Sequence, residues 1–262
     1  MKGDLSQIIN LERYPVTNLA SKASERMLTG CHNQIEENGL CLLPNFVTDK
    51  FLNEMIDEVK TLANQTYRTE HWRSPFGRDT LKSKINPLKT RASMDSISYD
   101  LLGEGSKMRQ LYESEYFTEF LRKVLKTELL FKCIDPMISC IIAICREGDE
   151  LGWHYDPNDG VVTLLLQKSL DGGNFEFAPN IRNSEKEVTE EELSVIRNEG
   201  ENTISISQSA GTLSIFNGFK ALHRVTPVGP KEERVVVILS YANTPDYIFS
   251  DKIRQSFFGR SN

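Results

Sequence analysis

Hydrophobic positions along the chain change their period near residue 130. Upstream, Phe51, Leu52, Met55, Ile56, Val59 and Leu62 recur at helical spacing behind Thr48, whose hydroxyl suits an N-cap, so the pattern predicts an amphipathic helix with one buried face. A second helix is expected over the segment from Glu25 to Asn38, ended by Asn38-Gly39, and Leu40 to Leu43 follows as a short apolar run before Pro44. A third is expected from Tyr116 to Lys126. The polar stretch from Arg68 to Thr90, rich in Arg, Ser, Pro and Gly, reads as a long loop. Such loops inside compact domains often carry function, and this one is expected to act as a lid.

From Asp135-Pro136 onward the texture becomes β. The runs Ile138 to Cys145, Val161 to Gln167, Asn174 to Phe177, Thr203 to Ile206, Thr212 to Phe216 and Arg234 to Tyr241 are short, rich in β-branched or aromatic residues, and separated by turn formers. They predict a sandwich or barrel. Thr189 and Glu192 form a capping-box pattern ahead of Leu193 and Ile196, which places a helix between strands. All-β units often reach this length, so a single domain over residues 1–262 is expected. Residues 1–130 would be its mainly helical support and lid, and 131–262 its β core.

Composition narrows the function. The 262 residues are 39% hydrophobic and 26% charged, which excludes collagen-like, low-complexity and coiled-coil chains. With 31 Lys plus Arg against 37 Asp plus Glu, the formal charge of -6 offers no basic surface for a phosphate backbone, so no nucleic-acid partner is expected. Small partners fit better. Five scattered cysteines show neither metal-finger spacing nor an even disulfide framework, which suits a reducing cytoplasm. The first residues lack a continuous apolar segment and no run of 18 apolar residues occurs, so neither secretion nor a membrane span is expected.

The chemistry concentrates in the β-rich half. In Gly152-Trp153-His154-Tyr155-Asp156-Pro157, residues two apart project to one face of an extended segment, so His154 and Asp156 direct an imidazole and a carboxylate at one point. His223 supplies a third ligand. Two His and one carboxylate leave open positions on an octahedral metal, the arrangement of non-haem Fe(II) oxygenases. The His-x-Asp pattern arises by chance in roughly one chain in four, so by itself it is more often, by about two to one, a pair of satisfied structural residues. Arg234 shifts the balance. It opens the apolar run Val235 to Leu239, where a buried Arg needs an anion, and its fork matches a carboxylate. A metal-dependent hydrolase using the same three ligands, a non-catalytic jelly-roll binding module, and an enzyme acting on a protein side chain stay open on these residues.

With His154-x-Asp156, His223 and Arg234 in this order and separation, the chain resembles the Fe(II)/2-oxoglutarate-dependent dioxygenases. The resemblance implies a double-stranded β-helix core, a cupin-like jelly roll with iron between two sheets. A closer likeness runs along nearly the whole chain. Asn10 to Pro15, Gly39 to Pro44, Glu147 to His154, Gly172 to Phe177 and Leu222 to Val228 are similar to the BesD-like group of free-amino-acid halogenases and hydroxylases. It implies Fe(II) held by His154, Asp156 and His223, with 2-oxoglutarate chelating the metal and Arg234 gripping its distal carboxylate. O2 would be consumed, succinate and CO2 released, and a small molecule, a free amino acid, hydroxylated. In halogenases of this group a small residue replaces the carboxylate ligand; Asp156 is present here, so hydroxylation is expected.

Substrate recognition is less defined. A free amino acid needs a cation for its carboxylate. Arg91 is the first choice, by positional likeness to the group, and Arg73 the second, each with a solvated loop arginine as its alternative. Trp153 either lines the pocket or packs the sheet.

Overall fold

The computed structural model describes residues 5–76, 88–156, 160–179, 181–182, 188–200 and 202–261. Among them are six α-helices: α1 (Lys22–Asn38), α2 (Asp49–Thr61), α3 (Lys107–Glu113), α4 (Glu115–Leu125), α5 (Glu190–Ile196) and α6 (Asp251–Phe258). The twelve strands are β1 (Leu40–Leu43), β2 (Tyr67–Arg73), β3 (Thr90–Ile97), β4 (Phe131–Lys132), β5 (Cys140–Cys145), β6 (Leu151–His154), β7 (Gly160–Gln167), β8 (Phe175–Ala178), β9 (Ile204–Ile206), β10 (Leu213–Phe216), β11 (Leu222–Val225) and β12 (Arg234–Ala242).

The helix ends follow local chemistry. Thr48 accepts from the Phe51 N–H at the start of α2, and Ser21 accepts from the Ser24 N–H at the start of α1. Gly39 ends α1 in the left-handed conformation, with φ 70°, and α5 carries the full capping box of Thr189 and Glu192. All three helices expected upstream of residue 130 are present. The loop expected from Arg68 to Thr90 is not a loop at its ends. Arg68 to Arg73 belong to β2, which pairs antiparallel with β3 from Tyr67↔Ser96 to Arg73↔Thr90, and residues 77–87 lie outside the described residues. The polar sequence hid this hairpin because its cross-strand neighbours are themselves charged. The N-terminal part therefore adds β1, β2 and β3 to the sheet beside its helices.

The strands form one curled antiparallel sheet in the order β1-β10-β7-β12-β5-β3-β6-β11-β8-β9, with β2 on β3 and β4 on β12. β3 joins its two halves, pairing with β5 through Asp95, Ser96 and Ile97 and with β6 through Ala92. Alternation along the strands gives the two faces different jobs. Val235, Val237 and Leu239 of β12, Val162 and Leu164 of β7, and Ile142 and Ile144 of β5 pack against Phe51 and Met55 of α2, Leu111 and Tyr112 of α3, and Phe117 and Phe120 of α4. Arg234, Val236 and Ile238 alternate with those β12 residues, and Val236 packs instead with Met94, Ala143, Cys145, Leu165 and Val228. That second face is the concave one. All five cysteines are buried free thiols, and among the described residues no helix is long and apolar enough to cross a membrane.

Two buried carboxylates, Asp149 and Asp95, and the half-exposed arginines Arg68 and Arg146 fix the turn that leads into β6. Arg68 donates a bidentate fork to Asp149 at 2.6 and 2.7 Å, and the Arg146 N–H donates to the same carboxylate at 2.9 Å. The Arg146 side chain pairs with Asp95 on β3. Burial pushes the Asp149 carboxyl up, but the Arg68 fork, the Arg146 N–H and Ser93 outweigh it, so the group titrates below its ordinary 3.8. A depressed folded value means the stabilisation is complete above pH 3.8 and lost as the pH falls through the folded value. Asp149→Asn is expected to cost roughly 2 kcal/mol at neutral pH and to flatten the acid limb of the stability-versus-pH curve, measured by denaturant unfolding.

Candidate metal centre

His154 ends β6 and His223 sits on β11 directly opposite it in the antiparallel register. Their ring centroids lie 4.2 Å apart. Each ring is oriented by the carbonyl two residues upstream: the His154 Nδ1 lies 2.9 Å from the Gly152 oxygen, and the His223 Nδ1 lies 2.9 Å from the Ala221 oxygen. Those contacts place the proton on Nδ1 and leave both Nε2 lone pairs free, as metal ligation requires. Burial, with help from Arg73 and His223, holds His154 well below its ordinary value, so it is neutral.

Asp156 lies past the end of β6, beyond the ladder. Its N–H donates to the Gly218 carbonyl at 3.0 Å, which brings the loop before β11 against it. Its two oxygens face the imidazoles, Oδ1 at 3.6 Å from His154 Nε2 and Oδ2 at 3.4 Å from His223 Nε2. With His154 neutral, the first of these contacts is no ion pair; a nitrogen lone pair faces a carboxylate. Ligand atoms of the three residues fall within 4.8 Å of one another, and the buried Asp156 Oδ2 has no hydrogen-bond partner among the described residues. Two ligand atoms about 2.1 Å from one ion at right angles are about 3 Å apart, so the spacing fits a single metal. The donor set fits iron.

The surroundings explain why the sequence folds this way. Gly218 is buried, and a Cβ there would overlap the Asp156 carboxylate, so the carboxylate occupies the space a side chain would take. Phe216 and Phe175 flank His223, with ring centroids at 5.1 and 5.9 Å. Neither Gly218 nor the two phenylalanines was singled out from the sequence, because each acts through a neighbour remote along the chain.

The other expected residues separate. Arg234 opens β12 on the concave face, 5% exposed, and makes no hydrogen bond or ion pair among the described residues. Burial draws its guanidinium below the ordinary value. Gly173, at φ 62°, gives it room, since a Cβ would stand 3.3 Å from the Arg234 Cδ. Arg73 is half-buried, yet its Nε and Nη2 are buried without a partner. Burial pushes it down to about 10, against the opposing pull of Asp156, and its charge acts on His154 as well. It therefore lies beside the metal ligands. His71, two residues earlier on the same face of β2, is lowered by burial and by Arg73.

Arg91 and Trp153 have partners of their own. Arg91 stands opposite Trp72 across β2 and β3, and its guanidinium is taken up by Glu70 at 2.9 Å, the Gly148 carbonyl at 2.7 Å and Glu150 at 3.6 Å. Three of its five N–H groups are engaged in this way, on Glu70 and the Gly148 carbonyl. Trp153 alternates with His154 and so faces away from the ligands. It packs with Val195 and Ile196 of α5, lies under Arg224 at 4.7 Å, and reaches Asn198 at 3.4 Å. Tyr155 faces the same way, its hydroxyl donating to Glu192 at 2.7 Å.

Comparisons with known proteins agree with this geometry. The family model described as HalD, Halogenase D, matches residues 23–254. No curated protein matches. Among solved structures, the chain is similar to a 2OG-Fe(II) oxygenase family oxidoreductase from Burkholderia pseudomallei, with 15% identity and a TM-score of 0.51 over 83% of this chain and 91% of that one. It is also similar to the epimerase SnoN from nogalamycin biosynthesis, with 12% identity and a TM-score of 0.60 over 83% and 81%. A prolyl hydroxylase from Trichoplax adhaerens gives 15% and 0.52 over 84% and 90%. These likenesses establish the fold, the jelly roll expected from the sequence.

Gly218→Ala is expected to push the Asp156 carboxylate out of place and weaken Fe(II) binding by about 10- to 100-fold, read by anaerobic titration, with the fold retained by circular dichroism.

Proposed function

The chain belongs to the Halogenase D family, and on that premise we propose that it is an Fe(II)- and 2-oxoglutarate-dependent hydroxylase of a free amino acid. The observation that carries the reading is the Asp156 carboxylate, whose buried Oδ2 has no hydrogen-bond partner among the described residues and which faces two oriented imidazoles. A carboxylate in that position fills the coordination site a halide would need, so the reaction is hydroxylation. Iron bound with 2-oxoglutarate and O2 supplies the oxidation of an unactivated C–H bond, with succinate and CO2 released.

The chain's own residues bind, orient and exclude. His154 and His223 turn their Nε2 atoms toward the metal position because their Nδ1 atoms are engaged by the Gly152 and Ala221 carbonyls. Arg234, buried without an internal anion, takes the distal carboxylate of the co-substrate in a bidentate grip. Arg73 takes the carboxylate of the amino acid: its Nε and Nη2 have no partner among the described residues, whereas the Arg91 fork is turned to Glu70 and the Gly148 carbonyl. Phe175 and Phe216 wall the His223 side and keep water from it. A metal-dependent hydrolase would have no use for Arg234, and a binding module would have no use for the ligand set.

Anaerobic reconstitution with Fe(II) and 2-oxoglutarate, followed by O2 across a panel of amino acids, is expected to give substrate-dependent succinate and a product heavier by one oxygen atom. Succinate without a hydroxylated amino acid would refute the substrate class alone, and hydroxylation of a peptide in its place would move the enzyme toward protein substrates. Added chloride should leave chlorinated product undetectable by mass spectrometry. Arg234→Ala should raise the 2-oxoglutarate requirement by about 10- to 100-fold. Arg73→Ala should raise the amino-acid KM and leave substrate-free 2-oxoglutarate turnover unchanged.

A further inference from the structure

We propose that Arg182 is a positioning residue for the carboxylate arm of the metal site, acting as a clamp between the two loops on which that arm depends. The inference rests on the metal site described above. The Arg182 guanidinium is sandwiched between two aromatic rings, 4.4 Å from the centroid of Tyr155 and 4.3 Å from that of Phe219. Its Nη1 also donates to the Phe219 carbonyl at 2.5 Å. Tyr155 is the residue before Asp156, and Phe219 is the residue after Gly218.

That adjacency decides the role. Asp156 stands outside the β6 ladder, so no strand register fixes its carboxylate. Two contacts bring it to the imidazoles: its N–H on the Gly218 carbonyl, and the fit of its carboxylate into the space Gly218 leaves empty. Both need the 155–156 and 218–219 segments at a constant separation. A planar cation between a ring on each segment sets that separation, because cation–π attraction holds each ring against one face of the guanidinium. The hydrogen bond to the Phe219 carbonyl fixes the plane's orientation. Lysine would keep the charge but lose the flat surface that meets both rings.

The test reads metal binding rather than turnover. Co(II) is titrated anaerobically into the wild type, Arg182→Ala and Arg182→Lys, following its visible ligand-field absorption. Wild type should bind with the spectrum of a His/His/carboxylate site. Arg182→Ala should bind about 10- to 100-fold more weakly with an altered spectrum, and Arg182→Lys should fall between. Thr48→Ala, which removes the cap of α2 on the convex face, should lower the melting temperature without changing Co(II) affinity. An Arg182→Ala affinity within twofold of wild type and an unchanged spectrum would overturn the proposal, as would equal weakening by Thr48→Ala. If Arg182→Ala does not fold, Phe219→Leu removes one ring of the sandwich and must weaken Co(II) in the same direction, or the clamp is refuted. Absence of Co(II) binding by wild type would instead remove the metal site itself.

Discussion

Two imidazole nitrogens and a carboxylate face one another across 3.4 to 3.6 Å in a buried space, and no protein donor lies between them. In the absence of a cation this arrangement is costly, since the carboxylate has left water without gaining hydrogen bonds on Oδ2. The rest of the site maintains it. Opposed strand positions fix the two rings, main-chain carbonyls fix their tautomers, and a missing side chain at Gly218 makes room for the carboxylate. A fold that holds such a set against its own repulsion has a bound cation as its resting partner.

Charge in the concave face runs opposite to charge overall. The chain carries a formal -6, yet Arg73 and Arg234 both bring guanidinium groups into buried surroundings without an ion pair among the described residues. Elsewhere the protein pairs its arginines closely: Arg68 with Asp149, Arg91 with Glu70, Arg224 with Glu176 at 2.7 Å. Guanidinium groups with buried nitrogens and no ion pair among the described residues mark places for anions that arrive from solution. The dicarboxylic co-substrate 2-oxoglutarate supplies one such anion.

What the sequence disclosed and what it withheld divide along the range of the interactions. The helices around Cys31, Met55, Phe120 and Leu193 were legible because caps and apolar spacing act within a few residues. The triad was legible because its members carry distinctive chemistry, even though β6 and β11 are four residues each and gave no strand signal of their own. The β2–β3 hairpin was hidden, since its stability comes from cross-strand charge pairs and from the Asp149 network. The different surroundings of Arg73 and Arg91 needed the register: Arg73 stands opposite Thr90, and Arg91 opposite Trp72 beside Glu70. Trp153 was different, because alternation with His154 already sent it to the other face.

The three ligands are also held by different means, and that difference bears on how the reaction is chosen. The imidazoles belong to paired strands, so moving either would break a ladder and slip the register of its neighbours. The carboxylate belongs to a loop, is fixed by one hydrogen bond to Gly218 and a cavity-sized gap, and has no ladder to disturb. A change of residue 156 therefore alters the metal's coordination while leaving the sheet's hydrogen bonds intact. Of the three ligands, residue 156 is the one that stands outside the strand ladder.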